Sequence, residues 1–316
     1  MLRTTLTAAL LGLAAPAPAL ALSLSSTQQA VTAILQDSAD AKAGEKATAW
    51  PEPRDVAAVK KSVAKIRSAQ SDEMEAAGRS EIEQEGAAAA PVLLRAIARE
   101  SKSDAIQRMR SALDLVTTKE HTRLLAESLD DRSPELRMCV LRRLAVLGDP
   151  GLKDRAEAFF QDVKEKAADA KKAKKLHEDE VDRAAIFTLA TGSTASLDHC
   201  LDLAGSKVWP AWRETLREAA GRAKEAGSTV AEGLQAALSP SANPDISRRV
   251  AALRLIAYAG TEAQARSVLP SLDDTANHVK VAAVNALRMM VDGDEPLDKL
   301  STFDAIERAN KWKARL

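Results

Sequence analysis

Two stretches of this chain, SLDDRSPELRMCVLRRL from Ser128 and SLDDTANHVKVAAVNAL from Ser271, read almost alike although 143 positions separate them. Alignment places Leu129 on Leu272, Asp130 on Asp273, Leu136 on Val279, Arg137 on Lys280, Val140 on Ala283 and Leu144 on Leu287. The matched apolar residues keep the spacing of one face of a helix. Each phrase therefore reads as the end of one helix, a short turn and the start of a second. LLAESL and SVLPSL just upstream supply the first helix, and Asp or Ser in the turn supplies a cap for the second.

Glycines mark the return from each second helix: Gly148, Gly192, Gly227 and Gly260, at spacings of 44, 35 and 33 residues. Glycine suits that place because it tolerates the left-handed conformation that ends many helices. Counting back, a loop at Thr117-Thr118 and then Gly86 continue the rhythm at 31 residues. A period of this length predicts stacked helix pairs, each burying its apolar face on its neighbours.

The residues that carry this pattern resemble the HEAT repeats, in an exported bacterial type. AAAAPVLLRAI at 87–97, the Asp-turn followed by LR or VK at 136–137 and 279–280, and the small-residue helix VAAVNALRMM at 281–290 carry the likeness over residues 81–300. The resemblance implies an all-α, right-handed superhelical solenoid of about six helix pairs whose concave face binds a partner. It also implies a hydrogen-bonded ladder between repeats, pairing Asp130 with Arg137 and Asp273 with Lys280. In 227–259, Ser247 falls where the basic residue belongs, and 192–226 diverges most.

Stacked folds need covered ends. After the break at Trp50-Pro51-Glu52-Pro53, Val56, Val59, Val63 and Ile66 share one helix face and supply a cap within a helical region at 22–80. The last stretch, 301–316, supplies the other cap with Phe303, Ile306 and Trp312 inward; around Val31, Ile34 and Leu35 there is only a short helical signal. Inside the long spacing, 164–183 has strong helix formers and no apolar face up to Leu176, which predicts a solvent-projecting helical extension. Its KKAKK run at 171–175 is either a docking arm or a solvated face balanced by HEDE.

Residues 1–21 hold one charge, Arg3, an apolar run from Leu6 to Ala15, and Ala19-Leu20-Ala21 as a small-x-small cleavage pattern. This predicts a signal peptide, a periplasmic or secreted location and no stable membrane insertion after its removal, the alternative being an uncleaved membrane anchor. In an oxidising compartment Cys139 and Cys200 could pair, but both sit at core-like positions in different repeats, which predicts two buried thiols.

Lys+Arg and Asp+Glu both number 45, which argues against a dedicated nucleic-acid binder. There is no Gly-rich phosphate loop, nucleophile elbow, CxxC pair or CxxCH motif. Helical-repeat hydroxylases of similar architecture hold iron with several His-Glu pairs; here only His177-Glu178 forms one, so neither metal nor cofactor is expected. Over the second helices at 103–116, 133–147, 209–225, 244–259 and 276–291, Lys and Arg number 14 against 7 Asp and Glu. That excess favours an acidic partner, either a protein segment or an anionic envelope polymer. Candidate contact residues are Arg137, Arg142, Arg143, Arg248, Arg249, Lys280 and Arg288, with Trp209 and Trp212, which either anchor a partner or fill a wide core position. In this register Arg142 maps onto Ala252 and Asn285, so the basic residues form no continuous column. The expected function is non-enzymatic protein binding or scaffolding; the alternatives are a structural envelope protein and an enzyme built on the helical scaffold.

Overall fold

A computed structural model describes residues 48–316 apart from 228, 242 and 298, all within one compact unit, Lys46–Leu316. The expected signal peptide at 1–21 and the short helical signal around Val31 lie outside the described residues, as does residue range 22–47 of the N-terminal cap region. The described residues are all-α, with no strand among them.

Helix α1 (Val56–Arg67) starts where the Asp55 carboxylate accepts the N–H groups of Ala57 at 2.7 Å and Ala58 at 3.1 Å. It buries Val59, Val63 and Ile66 and leaves Val56 exposed. Helix α2 (Asp72–Glu85) lies close against it: a Cβ on Gly78 would stand 2.7 Å from the Ile66 side chain. Both helices pack on α4 (Ser103–Val116), which follows α3 (Ala90–Ile97). Glu100, in the α3–α4 turn, accepts the N–H groups of Ser101 and Lys102 and pairs with Arg67 at the end of α1.

Onward, helices come in successive partners: α5 (Thr122–Glu127) with α6 (Pro134–Leu147), and α7 (Lys153–Ala168) with α9 (Glu180–Ala190) across the one-turn α8 (Ala170–Ala173). Then come α10 (Leu197–Gly205) with α11 (Trp209–Glu225), α12 (Val230–Ala236) with α13 (Ile246–Ala259), and α14 (Glu262–Val268) with α15 (Asn277–Leu287). The later member of each pair touches its counterpart in the next, from α4 through α6, α9, α11 and α13 to α15. One apolar cluster runs through them from Val59 to Trp312. Its alanines, among them Ala184, Ala185, Ala219, Ala220, Ala251 and Ala252, let helix backbones approach closely.

Several boundaries differ from the sequence expectation. The 164–183 stretch is not one continuous extension: α7 ends at Ala168, Asp169 caps α8, and the chain turns back so that Glu180 starts α9 fully buried. Residues 164–175 do lie mostly at the surface. Helix α16 (Thr302–Arg315) buries Ala305, Ala309 and Trp312, while Phe303 is 76 % exposed and Ile306 45 %. The face is set by the two alanines, which allow α16 to settle on α15; Phe303 in the first turn points away. Gly148, Gly192 and Gly227 have positive φ as expected, but Gly260 has φ −82°. Its need for glycine is space, since a Cβ would meet the Ile256 carbonyl oxygen at 2.7 Å.

Candidate functional site

The fourth residue of each later helix tells how neighbouring pairs are tied. In α6 it is Arg137, in α9 Arg183, in α11 Trp212, in α13 Arg249 and in α15 Lys280. Arg137 donates to the Glu180 carboxylate at 2.5 and 2.8 Å and to the Asp131 carbonyl at 2.9 Å. Arg249 repeats this geometry, donating to the Asn243 and Pro244 carbonyls at 3.0 and 2.9 Å and to Asp274 at 3.0 Å. Arg183 instead lies 4.4 Å from the centre of the Trp212 ring, so an aromatic face takes the acid's place.

A ladder therefore exists, but with other partners than the resemblance implied. Asp130 pairs with Arg155 at 2.7 Å and Asp273 with Lys313, both outside it, and Lys280 makes no ion pair among the described residues. The basic residue sought at Ser247 is Arg249: Asp245 caps α13 through the Ser247 N–H, which moves the register by two residues. The same correction moves the equivalent of Arg142 from Ala252 to Arg254. The ninth residues of α6, α9, α11, α13 and α15 are then Arg142, Thr188, Arg217, Arg254 and Asn285, so three of five are arginine.

Most of the expected contact residues are consumed internally. Besides Arg137 and Arg249, Arg143 donates to the Thr117 hydroxyl at 2.9 Å and lies 3.7 Å from Asp114. Arg248 bridges Asp198 and Asp202, and Arg288 pairs with Asp294 at 3.2 Å. Trp212 is buried, which assigns it to the core, while Trp209 is half-buried under the Arg254 guanidinium at 4.9 Å.

Arg142 is different, and it has company that sequence reasoning missed. Arg110 on α4, Arg142 on α6 and Arg183 on α9 have no carboxylate ion pair among the described residues. They sit close enough to repel one another. Burial, followed by the Arg142 charge, lowers the pKa of both Arg110 and Arg183, against the opposing pull of Asp114 on the first and of Asp179 and Asp182 on the second. Cys139, on the same helix as Arg142, is buried in the same neighbourhood, and burial pushes its thiol up to about 11. Burial likewise pushes Cys200 up to about 12; the two are separate buried free thiols. Arg183 falls in the stretch 164–183 expected to project into solvent, whereas Arg110 is one of the basic residues counted over 103–116 without being singled out.

The same side of α11, α13 and α15 forms a groove of about 580 Å³. Its apolar lining includes Val250, Ala257, Val281 and Ala282, with the rings of Trp209 and Tyr258. Arg217 lies 4.5 Å from the Tyr258 ring centre and pairs with Glu214 and Glu295. Asn285 closes the far end by clasping Leu297, accepting its N–H at 2.9 Å and donating to its carbonyl at 3.2 Å.

Among the described residues no three His, Cys, Asp or Glu converge to hold an ion. His177 accepts the Asp179 N–H at 3.2 Å, and His199 lies 2.7 Å from Asp182. No described helix is long and apolar enough to cross a membrane. Comparison with protein-family models, curated proteins and solved structures finds no match for the chain.

Proposed function

We propose that this protein is a non-enzymatic binding or scaffolding module, built as a right-handed HEAT-like solenoid of about six helix pairs. The regular contacts from α4 to α15 support that architecture, and the later helices would line its concave face. The partner is an acidic segment of another protein. What carries this reading is that Arg110, Arg142 and Arg183 hold three mutually repelling guanidiniums together, none of them closing an ion pair with the nearby carboxylates of Asp114, Asp179 and Asp182. Partly buried like charges destabilise a fold, and a complementary anionic surface relieves them on binding. Export to the periplasm or outside the cell is part of the proposal and rests on the residue pattern at 1–21.

The test is recovery of partners on residues 22–316 from a native envelope extract after mild crosslinking, at low and high salt. One protein should be retained near stoichiometry, less of it at high salt, and Arg110→Glu with Arg142→Glu should remove at least about nine tenths of it. Arg249→Glu is unsuitable because it would break the internal pair with Asp274. Retention of nothing, or equal retention by the double variant with unchanged helix content, would overturn the reading.

A further inference from the structure

The groove between α11, α13 and α15 is chemically unlike the arginine cluster, and Arg254 is the reason. Its guanidinium offers five N–H donors. One contact is to the Ala204 carbonyl and one face covers Trp209; no carboxylate reaches it among the described residues. It lines the groove and is half-buried, and burial alone lowers its pKa. The acid in the groove, Glu295, is taken by Arg217 and the Tyr258 hydroxyl. His278 adds an exposed imidazole at the rim.

Charge and shape together define what fits. The lining includes aliphatic side chains, the Trp209 ring offers a flat apolar surface, and Ile246 at the open end is 45 % exposed. A volume of about 580 Å³ lies within the ordinary range for small-ligand sites. A wholly apolar ligand would bury Arg254 further without a counter-charge, and a wholly polar anion would waste the apolar lining. We propose that this groove is a binding site for a small amphipathic carboxylate, with the carboxylate on Arg254 and the apolar body between Trp209 and the Val250, Val281 and Ala282 side chains.

Isothermal titration of the protein with octanoate, with octanol as the neutral analogue, tests this directly. Saturable one-to-one binding of octanoate, at least about tenfold tighter than octanol, is expected from a charge-assisted contact. Arg254→Gln should abolish that preference, and Trp209→Ala should weaken octanoate and octanol alike. Lys60→Gln, an equal loss of charge at an exposed site on α1, serves as the control and should bind like the parent chain. Circular dichroism separates lost binding from lost fold.

Octanoate and octanol binding equally, or Arg254→Gln retaining the preference, would overturn the proposal. So would binding only of an acetylated peptide that ends in Phe with a free carboxylate and not of its amide, with octanoate silent. That result would assign the groove to a partner chain's C-terminus. Because the arginine cluster plays no part in this titration, failure here leaves the acidic-partner reading standing, and the converse holds.

Discussion

Arg137 and Glu180 are the pair on which the middle of the chain depends. Glu180 is fully buried, the Arg137 side chain is 10 % exposed, and two charge-assisted hydrogen bonds join them. A buried carboxylate whose cation is removed keeps its desolvation cost and loses the compensation. Arg137→Gln should therefore lower unfolding stability by about 3 kcal/mol in urea titration. Replacing both residues, Arg137→Met with Glu180→Leu, should recover most of that loss, because no unpaired charge is left behind. Equal losses in the single and double variants would mean the ion pair is not what the site requires. The identity of this partnership was not legible beforehand. Arg137 was recognisable as a basic residue early in a helix, but its acid lies 43 residues away, inside the charged stretch. Nothing in local spacing distinguishes Glu180 from Glu178 or Asp179.

Helix positions were more readable than helix faces. Val59, Val63 and Ile66 repeat at helical spacing and are buried as the pattern requires. In α16 the aromatic Phe303 looked inward, yet Ala305 and Ala309 take the inner face, because close packing on α15 selects small residues. In α13 the start is set by Asp245, and an error of two residues there hid both Arg249 and Arg254 from the repeat pattern. One titratable residue contributes to the link between the end of α1 and the α3–α4 turn. Two backbone N–H groups, with Arg67, hold the Glu100 carboxyl at about 2, below its ordinary 4.5. A lowered carboxyl pKa stabilises the folded state fully above 4.5, and the contribution fades as pH falls towards 2. Thermal unfolding should find Glu100→Gln less stable than the parent at neutral pH, with the gap shrinking steadily below pH 4.5. A gap that stays constant with pH would assign the loss to packing instead.

Across the whole molecule, burial is uneven, and stability should follow it. Ala184 to Ala190 is buried at every position, and α9 touches α6, α7, α10 and α11. Helices α1, α2 and α16 bury one face only. Hydrogen exchange should leave the amides of α9 last to exchange, with α1, α2 and α16 opening earlier. If α16 were as slow as α9, the chain would open as a single unit instead of from its ends. The ties between successive helices also determine where such a chain can be cut. A segment beginning at Pro134 and ending before Glu180 would carry Arg137 without its acid, and one beginning at Glu180 would carry the acid alone. A segment taken from Asp245 through Asp274 keeps Arg249 with its own carboxylate. A duplication or deletion that leaves a workable chain must therefore span from a guanidinium to the residue that receives it. The inheritable unit is accordingly offset from the helix pair and overlaps the start of the next.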